Sequence, residues 1–363
     1  MSAAETRLRI VDCDVHPLLK GGLPDLFPYL DESWRQRLVR KRAAGAMGNL
    51  TFRYLHPNGS TVREDARTPQ GSIGGTDPHH TIAHYLDPNG IDIALLTTLQ
   101  AGSLAAVQAS VDESIVLTTA FNDFYADTWL RADSRFRLAM TVPSQDVTAA
   151  VAEIRRFGRH PQVAAVFIPP INILLGNRHW WPVYEAAQDL GLPILVHVTG
   201  TDSIYHGAPT TPGGIPDTYV ERYVTLSLAA EANVNSLVFS GVFERFPKLK
   251  VIFVEYGFLW AMPLLWRMER TWRSLRHETP WVKRSPIDYV HDHIRFSTQP
   301  LDEPDDPRDL DRLVAMLGYD LLCFSSDYPH WDNDMPGQSL RSLPPEARRR
   351  IFAENADATL RLD

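Results

Sequence analysis

Eight short, apolar, β-rich runs recur along the chain with amphipathic stretches between them, and this alternation limits the possible architectures most. The runs are Leu8–Val15, Ile91–Leu99, Phe136–Val142, Val163–Ile168, Pro193–Val198, Lys250–Glu255, Ile294–Thr298 and Leu321–Ser326. Most are nearly continuous in apolar residues, as in parallel strands buried on both faces. Helical periodicity fills the intervals, over Asp112–Ala132, Asp146–Phe157 and His179–Leu190, with Gly191 placed as a C-terminal cap. Eight strands with helices between them predict an α/β fold, a (β/α)8 TIM-type barrel. An open doubly wound sheet is the alternative. The barrel is preferred because polar residues at several separate strand ends then converge on one mouth.

At 363 residues the chain is read as one domain, 1–363, with no linker or internal repeat. Two insertions interrupt the alternation, at about 45–80 and 201–217, and both follow strands that end in candidate ligands. They are expected over the mouth. Within the first, Thr51–Leu55 and Thr61–Glu64 around Pro57-Asn58-Gly59 predict a hairpin. A formal net charge of -8 argues against a nucleic-acid partner. No run reaches membrane-span length, and the opening MSAAETRLRI has no secretory apolar core. The two cysteines, Cys13 and Cys323, are too few and too far apart for a disulfide framework, so a cytoplasmic setting is expected.

Three strand ends carry chemistry. The first run closes on Asp14-Val15-His16, and residues two apart on a strand share a face. A carboxylate and an imidazole so placed can chelate a divalent cation, although a strand-end acid beside a surface histidine has the same pattern. The fifth run ends in His197, which by itself also suits a satisfied core histidine. The eighth ends at Asp327, which would otherwise be a turn former. Strand ends one, five and eight of a barrel face the same mouth, and this joint position makes the three a candidate metal site.

In this order, Asp14-x-His16, His197 and Ser326-Asp327-Tyr328-Pro329-His330 resemble the amidohydrolase superfamily, in the branch related to aminocarboxymuconate-semialdehyde decarboxylase. The stretch Gly241-Val242-Phe243-Glu244-Arg245-Phe246-Pro247-Lys248-Leu249-Lys250 and the closing Phe352-Ala353-Glu354-Asn355-Ala356 are similar to segments of that branch. The resemblance implies a divalent metal, often zinc or manganese, held by Asp14, His16, His197 and Asp327, with Asp327 also able to take a proton from water. One ion is expected and two are allowed. Asp-x-His replaces the His-x-His of many relatives, which adds an oxygen ligand and favours harder ions such as Mn²⁺ or Fe²⁺. Strand six ends in Glu255 where the decarboxylase type often has a histidine. No lysine occurs between Lys41 and Lys248, so strand four cannot carry the bridging carbamylated lysine of the dinuclear branch.

Glu255 has three readings: a general acid or base, a ligand to a second metal, or a structural carboxylate paired with an arginine such as Arg267. His330 is a catalytic or orienting candidate beside Asp327, and His80 and His330 are candidates for a second ion. Arg53 and His206, in the two insertions, are candidate substrate-binding residues, with solvated loop positions as the alternative; Arg63 is a further candidate for a substrate carboxylate. His79 is read as a loop residue, Asp332 and Asp334 as a solvated loop, and Trp180, Trp181, Trp260 and Trp266 as packing.

Function is then read as decarboxylation or hydrolysis of a small carboxylated, possibly aromatic, substrate. A dinuclear iron or manganese/iron oxygenase and a non-catalytic partner subunit on a retained barrel are the alternatives. The partners expected are a small-molecule substrate and a second subunit, as a homo-oligomer or a hetero-oligomer with a related chain.

Overall fold

The eight strands of the computed structural model are all parallel and lie in sequence order in one sheet. They are β1 (Val11–Val15), β2 (Ile93–Thr97), β3 (Phe136–Thr141), β4 (Val163–Ile168), β5 (Ile194–His197), β6 (Val251–Val254), β7 (Ile294–Ser297) and β8 (Leu322–Cys323). The structure describes residues 7–43, 61–108, 110–199, 211, 214 and 216–362. A seam of backbone hydrogen bonds joins the first and last strands: Cys13 N to Phe324 O at 3.0 Å, Asp327 N to Asp14 O at 3.1 Å and His16 N to Tyr328 O at 2.8 Å. The sheet is thus a barrel, and the predicted fold class stands.

Strand alternation divides the core in two. One cluster holds Val11, Cys13, Leu95, Ala139, Phe167, Leu195, Val254 and Cys323, with Ala356 and Leu360 of the C-terminal segment. The opposite faces of the strands pack beneath the helices, with Leu96, Met140, Val166, Val196 and Phe253 among them. The helices that matter here are α1 (Val111–Tyr125), α2 (Val147–Phe157), α3 (Trp181–Asp189) and α4 (Tyr219–Val224). Ser110 caps α1 by accepting from Glu113 N, and Asp146 caps α2 by accepting from Ala149 N at 3.0 Å. Gly191, just past α3, has φ of +65°, the left-handed geometry that a capping glycine supplies.

Several predicted boundaries move. α1 stops at Tyr125 and widens into a π turn over Ala126–Leu130, short of the predicted Ala132. β8 has only two residues, because beyond it Ser325, Ser326 and Asp327 bond to Gln299, Asp12 and β1 instead of continuing a ladder. Thr61–Glu64 is not a regular strand. Val62 forms an isolated antiparallel bridge to His330, and Glu64–Ala66 is a 3-10 turn. The other half of the predicted hairpin, 51–60, lies outside the described residues.

The described end of the first insertion sits against the mouth. Arg63 N donates to Pro329 O at 3.0 Å, and Leu18 N donates to Gly75 O at 2.7 Å. At Gly75, φ is +80° and an added Cβ would stand 2.5 Å from His16 O, so only glycine allows this close approach. Among the described residues, no helix is long and apolar enough to cross a membrane.

Candidate metal centre

Asp14 and His16 come from the end of β1, where the β1–β2 register shifts between Asp12 and Val15. His197 ends β5. Glu255 directly follows β6, and Asp327 and His330 follow β8. All six side chains are buried. Glu255 and Asp327 have φ of 62° and 64°, the left-handed region that costs a residue with a Cβ about 1–3 kcal/mol. Both strand ends therefore bend sharply, and both carboxylates enter the mouth.

Two rings are fixed from behind. His16 Nδ1 lies 2.9 Å from Thr97 O, and His197 Nδ1 lies against Val198 O. A carbonyl can only accept, so each Nδ1 carries hydrogen and each Nε2 points into the mouth, offering a lone pair wherever it carries no proton. Carboxylate oxygens face those nitrogens. His16 Nε2 is 2.7 Å from Asp327 Oδ1 and 3.4 Å from Asp14 Oδ1. His197 Nε2 is 3.0 Å from Asp14 Oδ2 and 3.2 Å from Glu255 Oε2. Lone pairs facing oxyanions repel unless protons or a cation lie between them. Asp14 Oδ1, His16 Nε2 and Glu255 Oε2 have no hydrogen-bond partner although they are buried.

Without an ion the cluster holds protons instead. Burial pushes Glu255 well above the usual carboxylate range, and Asp327 adds to it. Burial and then Asp332 raise Asp327. Burial alone would lower His16, but Asp14 and Asp327 hold its proton and place it well above normal. Asp14 is lowered despite burial, because His16 and His197 outweigh it. Uncompensated buried charges cost several kcal/mol each, so protons or a dication are required. The donor set of imidazole nitrogen and carboxylate oxygen suits a divalent ion. Asp14, His16, His197 and Glu255 each offer an atom within 4.8 Å of the others, and so do His16, Glu255, Asp327 and His330.

His330 Nδ1 is 2.6 Å from Asp327 Oδ1, and its ring stacks on His16 at 4.3 Å between centroids. Burial and the neighbouring His16 push its pKa down to about 3, so it is a neutral donor that orients Asp327. Glu255 pairs with His197, and its Arg267 reading is set aside. His80 stands apart from both ligand groups. Asp77 caps the short helix that carries it, its Nε2 lies 3.1 Å from Ala66 O, and its ring stacks on His84. Arg53 and His206 lie outside the described residues. Arg63 pairs with Asp65 and Asn333. Trp180 is fully buried, whereas Trp266 is 53% exposed and departs from the packing reading.

Two supporting residues, Asp12 and Gln299, escaped the sequence reading, and two others were misread. Asp12 is fully buried and accepts from Tyr85 Oη at 2.6 Å, Ser326 Oγ at 2.6 Å, Ser326 N at 2.9 Å and Asp14 N at 3.1 Å. Burial outweighs those bonds and raises its pKa to about 6. Gln299, after β7, donates from Nε2 to Asp327 Oδ2 at 3.2 Å and to Asp332 Oδ2 at 3.0 Å. Asp332 is therefore part of the mouth and not a solvated loop residue. Asp334 is also half-buried, accepts from Leu301 N at 3.2 Å and has its pKa raised to about 7, mainly by burial. The only signal for Gln299 was its place at the end of the seventh run. The free thiols of Cys13 and Cys323 meet across the β1–β8 seam, which their separation in sequence concealed.

A parallel eight-stranded barrel with a buried histidine and carboxylate cluster at its C-terminal mouth defines a metal-site barrel enzyme. The chain belongs to the amidohydrolase family, whose pattern matches residues 11–362. It is 24% identical over 311 residues to the gamma-resorcylate decarboxylase of a Polaromonas species, covering 77% of this chain and 86% of that one. It is 22% identical over 293 residues to the 2-amino-3-carboxymuconate-6-semialdehyde decarboxylase of Dictyostelium discoideum, covering 77% and 75%. The fold matches the 5-carboxyvanillate decarboxylase of Novosphingobium aromaticivorans, solved with manganese and 4-hydroxy-3-methoxy-5-nitrobenzoic acid. That match has a TM-score of 0.70 and 16% identity, over 98% of this chain and 97% of the other.

Proposed function

We propose that this protein is a divalent-metal-dependent decarboxylase of a small aromatic carboxylate. Asp14, His16, His197 and Asp327 would hold the ion. The observation that carries this reading is the pair of Nε2 nitrogens, aimed by backbone carbonyls at Nδ1, that face carboxylate oxygens of Asp14, Glu255 and Asp327. A divalent ion held there would supply positive charge to offset that of the substrate carboxylate and of the developing carbanion. Glu255 holds the proton. Burial and then Asp327 raise the proton affinity of its carboxyl, which would protonate the ring carbon that keeps the electron pair of the broken C–C bond. His330 fixes the orientation of Asp327. Metal analysis and CO₂ release from a panel of hydroxybenzoates, with the protein loaded with Mn²⁺ and then stripped by chelator, test the reading. Hydrolysis of esters or lactones by the loaded protein with no CO₂ from any benzoate would overturn it.

A second reading, a dinuclear centre suited to oxygen chemistry, is favoured by the two ligand groups that share His16 and Glu255. It predicts about two metals per chain including iron. We further infer one domain over residues 1–363, assembly with a second copy or a related subunit, and a cytoplasmic setting consistent with two free thiols.

A further inference from the structure

Part of the mouth is aromatic. Tyr219 and Tyr223 stand one turn apart on α4 with ring centroids 5.8 Å apart, and Tyr223 lies 5.7 Å from Trp331. The wall stands close to the catalytic acids. Burial raises the pKa of Tyr223, and the charges of Asp332, Glu255 and Asp327 raise it further. The Tyr223 hydroxyl donates to Asp332 Oδ2, the oxygen that also accepts from Gln299. A run of hydrogen bonds therefore joins the wall to Asp327 through Asp332 and the Gln299 amide.

Asp332 is unlike the other acids of the mouth. Asp14 and Asp327 are fully buried, whereas Asp332 is partly exposed. Its two donors, a phenol and an amide, are both neutral, and no cation among the described residues pairs with it. Its Oδ1 accepts no hydrogen bond from them. Its charge opposes Asp327 and Glu255, whose proton affinities it raises. A carboxylate that has only neutral donors among the described residues, beside an aromatic wall and two other acids, suits a ligand that brings a donor and repels one that brings a second negative charge there.

We propose that Asp332 is a specificity-determining residue: with the substrate ring against Tyr223 and Trp331, its Oδ1 accepts from a ring hydroxyl or amino group. It also excludes rings with a second carboxylate. This rests on the aromatic-carboxylate reading above. The test is calorimetric binding of benzoate, 2-, 3- and 4-hydroxybenzoate and benzene-1,3-dicarboxylate to the Mn²⁺-loaded protein and to D332N and Y223F. Wild type should bind at least one hydroxybenzoate about ten- to a hundredfold tighter than benzoate, on the scale of a charge-assisted hydrogen bond, and reject the dicarboxylate. D332N should lose most of that preference and gain affinity for the dicarboxylate. These opposite changes would not follow from general damage to the fold. Y223F keeps the charge but loosens the carboxylate, so it should weaken the hydroxyl preference and still reject the dicarboxylate. Unchanged ligand ratios in D332N overturn the role of Asp332 alone. If wild type binds none of the benzoates, both this role and the aromatic-carboxylate reading fall.

Discussion

Glu255→Gln separates the chemistry of the mouth from its architecture. The amide is nearly isosteric and meets the same φ of 62°, so the bend after β6 and the hydrogen bond from Glu255 N to Ser297 Oγ at 3.0 Å should persist. The variant loses a proton that can be given away. General acid catalysis contributes about 10²- to 10⁴-fold, so CO₂ release should fall by that factor, roughly 3–5 kcal/mol in the barrier. Glu255 Oε2 lies 3.2 Å from His197 Nε2 and has no hydrogen-bond partner, so an amide can occupy the position without leaving a charge unpaired. Elemental analysis beside the rate assay decides between the roles. A proton donor predicts near-normal metal content with the slow rate. A ligand to a second ion predicts loss of about one metal equivalent as well, because an amide is a poorer ligand. Wild-type rate and wild-type metal content together would refute both.

Other perturbations test the surroundings. His197→Ala should lower metal content and activity together, and full occupancy with full activity would reduce His197 to packing. Asp12→Ala strips the acceptor from Tyr85, Ser326 and Asp14 N, with about 1–3 kcal/mol expected for each stranded buried donor. Metal affinity in that variant should fall about 10–100-fold, since Asp12 supports the residues that present the ligands; denaturant melts and metal titration would show it. Asp334 has a folded pKa of about 7, above its unfolded value, so the stability it contributes in its protonated form is lost as pH rises toward and through 7. Asp334→Asn should therefore gain on wild type in thermal melts at pH 8 relative to pH 5, by a few kcal/mol at most. An equal difference at both pH values would refute the buried-acid account.

The barrel was legible in the sequence because it depends on local order, and the strand ends that carry candidate ligands could be named from it. Period-two and near-continuous apolar runs mark the strands, helical periodicity marks what lies between them, and a barrel brings every strand end to one mouth. Asp14, His16, His197 and Asp327 could thus be grouped before any distance was known. What lay beyond the sequence rests on contacts with no local signature. Asp12 depends on Ser326, 314 positions away, and Asp332 on Tyr223, 109 positions away. No spacing rule links them, and a lone Asp in a loop looks solvated until a distant tyrosine and amide close on it. His80 belongs to neither ligand group, and its Nε2 lies against Ala66 O, a contact that its place beside His79 in the sequence did not signal. Sequence alone determined which residues stand at the strand ends. Tertiary packing decided which way Glu255 and Asp327 bend, which nitrogen each histidine presents and which distant groups fix them, because burial and hydrogen-bond partners exist only once the β1–β8 seam has closed.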